Sequence, residues 1–276
     1  MVRPVGRFAL ILAAILAIGA SLPGLRAQTL VPTAYFAHVP VGGGFTTTFT
    51  FLNTGSGPLT GNLILTLTKP DQTPINVTVT DLSLNKSSAG SGSPITVPIP
   101  AIASGGTIFL AVTPTNPNDS VAVGWGRVES SGGTLGGVAT FSLTSAGQLQ
   151  AIAGVLSADV TSVATIPVDD DVSQNRATGY AVANPGSSSI TIRVVEVSAD
   201  GNTITALSPI NLDAGKQTAA FFFQDKAAAQ KFQGSAVLIG QSGATFSVVA
   251  LVQVQGATGL LYTAIPVIPA KAPHIN

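Results

Sequence analysis

The chain contains no cysteine and few charged residues, and both shortages exclude whole classes of function. Without cysteine there is no disulfide framework, no thiolate nucleophile and no Cys-ligated zinc or iron–sulfur cluster. Only 9% of the 276 residues are charged whereas 45% are hydrophobic, which is the opposite of the balance found in disordered chains. The 12 basic residues equal the 12 acidic ones, which disfavours a nucleic acid as partner because phosphate binding needs a basic surplus.

The first 27 residues have the features of an export signal. Arg3 and Arg7 precede fifteen uncharged, mainly apolar residues at 8–22, and Ala27 offers a small residue for cleavage before Gln28. An apolar run of this length is typical of a signal peptide and is short for a membrane span, which needs about 20 residues. We therefore expect a secreted or cell-surface protein, with no membrane span after cleavage. Retention of the segment as an N-terminal anchor is the alternative, and the lack of cysteine suits a bacterial source.

The rest of the chain contains two related units in the same order. The hexapeptide VPVGGG at 39–44 has the counterpart IPVDDD at 166–171, and the turn Asn53-Thr-Gly has the counterpart Asn184-Pro-Gly. Further along, an apolar-x-x-Gly turn and a glycine-punctuated strand recur in both units. The first unit is longer, and its surplus lies within 69–100, a stretch suited to a long loop or an added hairpin. This pattern predicts an internal duplication.

Both units have the periodicity of β-strands. Threonine alternates with phenylalanine at 46–51, and β-branched residues dominate 189–197, as in half-buried strands. Asn-x-Gly turns separate such runs, and only residues 224–232 have a helix-like composition. The sequence predicts an all-β fold with two tandem antiparallel, immunoglobulin-like (Ig-like) β-sandwich domains. The expected segments are a signal peptide at 1–27, a first domain at 28–160, a second domain at 161–271 and a tail at 272–276.

Three stretches carry a resemblance to known sequences. They are FAHVPVGGGFTTTFTFLNTG at 36–55, GWGRVESSGGTLGGVATF at 124–141 and NPGSSSITIRVVEVSADGN at 184–202. Together they resemble an uncharacterised family of exported bacterial proteins with duplicated Ig-like or fibronectin III-like repeats. The resemblance covers nearly all of residues 34–270. It implies exported β-sandwich modules and no particular activity, because its motifs are structural turns.

The few candidate catalytic residues form no recognisable motif. Ser242 lies in Gly-Gln-Ser-Gly-Ala, which lacks the last glycine of a nucleophile elbow, and His38 is the only histidine before the tail. Glu129 and Glu196 are the only glutamates and occupy non-equivalent places in the two units, which argues against a glycosidase pair. We expect no enzymatic activity and no cofactor.

Asp169, Asp170 and Asp171 form the strongest charge cluster. Three adjacent carboxylates repel one another unless they are solvated or bind a cation, so this triplet is a weak candidate for a calcium site. No Asp-x-Asp-x-Asp-Gly loop follows, and the first unit has three glycines at the equivalent place. We therefore interpret the triplet as a solvated turn between the domains and predict no metal site.

Aromatic residues offer a possible binding surface, for which we name Trp125, Tyr180 and Phe222. Exposed together, they could stack on a sugar, although the glycines on both sides of Trp125 favour burial in a strand or between domains. Phe222 belongs to a run of three phenylalanines at 221–223, which cannot all face one side of a strand. At least one of them is expected to lie exposed, over an edge or at an interface.

The sequence as a whole predicts an exported, non-enzymatic β-sandwich protein with a structural, adhesive or partner-binding role. Its partner is expected to be an extracellular protein or polysaccharide. Three alternatives stay open: a carbohydrate-binding module, a subunit that polymerises by exchanging edge strands, and a hydrolase with an unrecognised site.

Overall fold

The computed structural model describes residues 31–131, 134–225, 231–256 and 259–269, and within them the chain is built of β-strands and short 3-10 turns. The all-β prediction is confirmed. The expected signal peptide at 1–27 and the tail at 272–276 lie outside the described residues.

The strands of the first half are β1 (Val31–Val41), β2 (Phe45–Asn53), β3 (Leu59–Thr68), β4 (Val77–Asp81), β5 (Lys86–Gly90), β6 (Ile95–Ile102), β7 (Thr107–Pro114), β8 (Ala122–Ser130), β9 (Leu135–Ser145) and β10 (Gln148–Leu156). Those of the second half are β11 (Val163–Asp170), β12 (Arg176–Ala183), β13 (Ile190–Ser198), β14 (Ile204–Ala206), β15 (Ile210–Leu212), β16 (Gln217–Phe221), β17 (Phe232–Gly240), β18 (Ser247–Gly256), β19 (Gly259–Ile265) and β20 (Ile268–Pro269). The 3-10 turns are Val172–Gln174, Phe222–Asp225 and Gln241–Gly243.

The expected helix at 224–232 differs from the structure at both of its ends. Its start falls in the 3-10 turn Phe222–Asp225, and at its end β17 begins at Phe232. Residues 226–230 lie outside the described part of the chain. The alanine-rich composition of this segment predicted a helix, but a strand that pairs with two neighbours begins where the helix was expected to end.

The strands form four antiparallel sheets, two in each half. The first sheet has the order β1-β8-β3-β6, and the second has the order β10-β9-β2-β7-β4-β5. The third has the order β14-β13-β17-β11-β20, with β15 also pairing with β13, and the fourth has the order β16-β12-β18-β19. The two halves therefore share one connectivity, and the β4–β5 hairpin within 69–100 is an addition to the first half.

The prediction of two tandem Ig-like sandwich domains is wrong. In an Ig domain the first two strands lie in the same sheet, whereas β1 and β2 lie in different sheets and β1 pairs with β8. The described residues form instead four small sheets, which correspond in number to the blades of a four-bladed β-propeller. Periodicity predicted the strands but not their partners, because pairing over such separations depends on the whole chain.

The period-two pattern of the sequence explains how the strands bury their side chains. In β2, Phe49 and Phe51 are fully buried, while Thr48 before them and Thr50 between them are half-exposed. Phe36 of β1 packs edge-on against Phe49, with ring centroids 5.1 Å apart. Each such ring contributes up to about 3 kcal/mol of hydrophobic stabilisation when it is fully buried.

Two hydrophobic cores result, and the larger one takes residues from both halves. The first and second sheets enclose it, and Ala181, Ala183 and Val249 of the fourth sheet complete it. The third and fourth sheets enclose the second core, with Val182 and Val248 pointing into it. The fourth sheet therefore buries both of its faces, so the halves pack as one body and not as isolated units.

The two Asn-x-Gly turns are structurally equivalent. The side-chain amide of Asn53 donates to the carbonyls of Gly57 and Ile102, at 2.8 and 2.9 Å, and its Oδ1 accepts from the backbone N–H of Gly55. The side chain of Asn184 bonds in the same way to its counterparts in the second half. Both asparagines are fully buried, so each fastens its turn from inside the protein.

Candidate functional site

An apolar cleft of about 270 Å³ lies where the second and fourth sheets meet. The edge strands β10 and β19 run alongside each other there. The first half lines this apolar cleft with His38, Phe45, Phe141, Leu143, Ala151, Ile152 and Val155. The second half lines it with Gly179, Tyr180, Ala181, Ala219, Ala220, Phe221, Gln224, Val249, Ala250, Leu251 and Tyr262. The cleft therefore exists only when the two halves pack together.

Small residues on facing strands leave the space that becomes the cleft. Alanines at 151, 181, 219 and 220 line it from both halves. At Gly179 an added Cβ would lie 3.0 Å from the ring of Phe221. Because glycine has no Cβ, Phe221 can pack over β12 and form one wall of the cleft.

His38 lies on β1 and lines the cleft. Its imidazole meets the ring of Phe141 edge-to-face, with centroids 5.2 Å apart. The ring nitrogen Nδ1 is enclosed and has no hydrogen-bond partner among the described residues. Burial lowers the pKa of His38 from 6.5 to about 4, because apolar surroundings disfavour the charged form. His38 is therefore neutral at physiological pH, and its imidazole can both donate and accept a hydrogen bond.

The polar groups of the cleft are uncharged. Burial raises the pKa of Tyr262, so its hydroxyl keeps its proton. Gln224 uses its Oε1 to accept a hydrogen bond from the backbone N–H of Phe221 at 3.2 Å. Among the described residues that line the cleft, none carries a formal charge at neutral pH. The arrangement suits binding of an apolar, uncharged molecule or side chain.

Trp125 does not belong to an exposed surface. It is only 3% exposed, and its Nε1 donates a hydrogen bond of 2.8 Å to the carbonyl oxygen of Gly215 in the other half. The guanidinium of Arg127 lies 5.7 Å from the centre of the indole ring and is held by Glu129, whose Oε1 accepts from Nε at 2.8 Å. The hydrogen bond from Trp125 to Gly215 therefore links the two halves, and we call this contact the joint.

Tyr180 and Phe222 do not complete a platform with Trp125. Phe222 is 2% exposed and belongs to the second core. Tyr180 packs on Phe222 with ring centroids 4.7 Å apart and reaches the apolar cleft. Trp125 and Phe222 are therefore buried and do not form an exposed aromatic platform with Tyr180. Of the three, only Tyr180 lines the cleft.

The aspartate triplet is not the solvated turn that the sequence indicates. Asp170 is fully buried at the end of β11, where its Oδ1 accepts a hydrogen bond of 2.7 Å from the backbone N–H of Thr178. Asp169 pairs with Arg176 at 3.2 Å, and Asp171 pairs with Lys231 at 3.2 Å. Asp171, just after the end of β11, is also buried, whereas Asp169 is partly exposed.

Hydrogen bonds and ion pairs engage the outer carboxylates of the triplet. The hydroxyl of Ser173 donates to Asp171 and, with Lys231, lowers the pKa of that carboxyl. In the parts of the chain that the structure describes, no three His, Asp or Glu side chains come together as metal ligands. The triplet ties the third sheet to the start of β12.

The remaining catalytic candidates lie apart from one another in the fold. Ser242 sits in an exposed 3-10 turn with φ +54°, and it does not line the apolar cleft with His38. Glu129 lies in the first sheet on β8, whereas Glu196 lies buried in the third sheet on β13. Neither pair of candidates shares a site.

Sequence reasoning missed the apolar cleft, although two signals pointed towards it. The run of phenylalanines at 221–223 required at least one ring at an edge or interface, and Phe221 lines the cleft while Phe223 packs on it at 5.5 Å. His38 lies in an apolar strand with no acidic neighbour in sequence.

Comparison with models of protein families and with curated protein sequences finds no match. The site is therefore interpreted from its own geometry.

Proposed function

We propose that this protein is exported and acts by binding an extracellular partner, with the apolar cleft as its binding site. The observation that carries the proposal is the cleft itself, an uncharged space between two sheets lined by aromatic and aliphatic side chains from both halves. Pockets of this kind, with a few placed polar groups, are the usual form of a ligand site. The role expected from the sequence, partner binding without catalysis, agrees with it.

The hydrogen bonds and ion pairs of the acidic side chains favour a binding function over a catalytic one. Asp81 and Asp200 accept hydrogen bonds from the backbone of their own turns, and Asp171 pairs with Lys231. Burial is the cause of the lowered pKa of His38, so the imidazole is held neutral by its apolar surroundings and not activated by an acid. These groups serve the fold in the geometry observed.

Export is the second part of the proposal and rests on residues 1–27 of the sequence. In the described residues, no helix combines the length and the apolar character required to cross a bilayer. N-terminal sequencing of the protein recovered outside the cytoplasm tests this part. A start at about Gln28 supports cleavage, whereas a start at Met1 supports the anchor.

The binding function is tested with 6-propionyl-2-dimethylaminonaphthalene (prodan), a neutral two-ring dye whose fluorescence changes in apolar surroundings. We expect the dye to bind the wild-type protein with saturation. Ala151→Trp, which fills the cleft, should abolish binding. Ala89→Trp on β5, at an exposed position outside the cleft, should leave it unchanged. Equal dye binding in both variants contradicts the proposal.

A second candidate function, self-association through an edge strand, is favoured by one observation. β10 is the edge of the second sheet and exposes Leu149, Ile152 and Leu156, which are 60%, 52% and 69% exposed. Because β19 runs alongside β10, the surface on offer is this set of exposed apolar side chains, which can pack against a second copy. Sedimentation velocity of the wild type against Leu149→Lys/Leu156→Lys tests it. A monomer at all concentrations rules it out.

A further inference from the structure

We infer that the apolar cleft takes a small uncharged ligand with a one- or two-ring aromatic or alicyclic body and a hydroxyl group that hydrogen-bonds to His38. This inference rests on the proposed binding function and names the ligand class of the same site.

The size of the cleft sets the size of the ligand. A dry protein cavity of about 150 Å³ lined by aliphatic and aromatic side chains holds benzene. The cleft has about 270 Å³, which is room for one or two fused rings and too little for several sugar units. Phe45, Phe141 and Phe221 offer ring faces or edges to such a body.

The absence of formal charge along the described walls sets the charge of the ligand. A carboxylate or ammonium group moved into this cleft would lose its hydration without gaining a partner of opposite sign. His38 adds no compensating charge, since burial keeps its imidazole neutral. The ligand is therefore neutral at physiological pH.

The imidazole of His38 sets the polar group of the ligand. It lines the cleft and is partly exposed there. Its Nδ1 is enclosed by protein atoms and out of a ligand's reach, whereas Nε2 is not enclosed in this way and is the nitrogen open to a ligand. A ligand hydroxyl fits either form of the neutral ring, because it donates to Nε2 when that nitrogen is bare and accepts from it when Nε2 carries the proton.

Three probes of one size separate these requirements: 2-naphthol, naphthalene and 2-naphthoate, each titrated into the full mature protein by isothermal calorimetry. We expect 2-naphthol to bind about fivefold more tightly than naphthalene, the effect of one net hydrogen bond. We expect 2-naphthoate to bind at least tenfold more weakly than 2-naphthol, because its charge enters an apolar site. Ala151→Trp should abolish binding of 2-naphthol, and Ala89→Trp should not.

His38→Phe identifies the hydrogen-bonding group, because it keeps an aromatic ring of similar size without the nitrogens. The variant should bind naphthalene as the wild type does and should lose the preference for 2-naphthol. His38→Gln, which again offers a donor and an acceptor, should restore part of that preference. If His38→Phe does not fold, His38→Leu, which also removes both nitrogens, decides the point and should likewise lose the preference.

Some results overturn this inference and leave the binding function standing. Equal affinities for 2-naphthol and naphthalene in the wild type, or an unchanged preference in His38→Phe, exclude the hydrogen bond to His38. Binding of 2-naphthoate as tight as that of 2-naphthol excludes the requirement for a neutral ligand. Failure of prodan and all three probes to bind overturns the binding function as well.

Discussion

The indole Nε1 of Trp125 donates a 2.8 Å hydrogen bond to the carbonyl oxygen of Gly215 and joins the two halves of the chain. Gly215 is itself tied to the second Asn-x-Gly turn, because its N–H donates to the carbonyl of Asn184. The joint therefore connects β8 of the first half to a turn that a buried asparagine holds in place. It acts together with the fourth sheet, which packs against both cores.

Trp125→Phe should weaken this joint while keeping an aromatic ring in place. We expect a loss of about 1–2 kcal/mol in the free energy of unfolding, because the carbonyl of Gly215 loses its indole donor. Hydrogen exchange should accelerate at residues 215–217, next to the joint. Denaturant unfolding and exchange mass spectrometry measure the two effects. Wild-type stability together with wild-type exchange in this segment means that the bond does not couple the halves.

Asn53→Ala and Asn184→Ala should each destabilise the protein by about 2–4 kcal/mol, since each change leaves buried backbone groups without a hydrogen-bond partner. The two losses should be similar because the two side chains make equivalent bonds. Asn118→Ala, at an exposed position, serves as the control and should stay within about 0.5 kcal/mol of the wild type. Chemical denaturation measures all three. Losses at Asn53 and Asn184 no larger than at Asn118 contradict the stabilising role of the buried side chains, and clearly different losses at the two contradict their equivalence.

The buried imidazole of His38 should make stability fall in mild acid. Unfolded chains bind the histidine proton near pH 6.5, whereas folded His38 binds it only near pH 4. Lowering the pH through that window therefore favours unfolding, by at most about 3 kcal/mol at its lower end. His38→Phe should flatten this part of the stability curve between pH 6.5 and 4. A curve of the same slope in wild type and variant would assign the acid sensitivity to other groups.

The aspartate triplet should respond to substitution according to burial. Asp170→Ala should cost about 1–3 kcal/mol, because the N–H of Thr178 loses its buried acceptor. Asp169→Ala is the matched control and should cost below about 1 kcal/mol, since its ion pair with Arg176 is partly exposed. Thermal unfolding measures both. Millimolar Ca²⁺ should leave the melting temperature unchanged, and an increase of several degrees would indicate the metal site instead.

The fragment 161–276 should fold but associate. It contains the third and fourth sheets and their shared core, so a cooperative β-type unfolding transition is expected by circular dichroism. The face of the fourth sheet that carries Ala181, Ala183 and Val249 becomes exposed without the first half, which favours oligomers in sedimentation. Val249→Ser in the fragment should shift it towards monomer. An unfolded fragment beside a stable protein of residues 28–276 would place the domain boundary elsewhere.

Local patterns in the sequence predicted the local structure well. The alternation at 46–51 indicated which side chains of β2 are buried, because successive side chains of a strand point to opposite faces. The Asn-x-Gly spacing marked two turns whose bonding is the same in the structure. Neither inference needed more than a few neighbouring residues.

The candidate site could not be predicted in this way. The apolar cleft combines side chains from β1, β2, β9 and β10 with others from β12, β16, β18 and β19. No segment of the sequence contains more than a small part of it. The aspartate triplet shows the same limit. Three adjacent charges predict a solvent-exposed position, and only the structure shows that Asp170 is buried and accepts a hydrogen bond from Thr178.

The sequence by itself determined that the chain forms β-strands in two similar halves, because side-chain periodicity and turn residues act over distances of two to four residues. Only the tertiary structure decided which strands pair and that the fourth sheet buries both faces. It also placed Trp125 at a joint and left a cleft lined by His38. These features depend on contacts between residues far apart in the chain, whose free energies are realised only when all four sheets pack together.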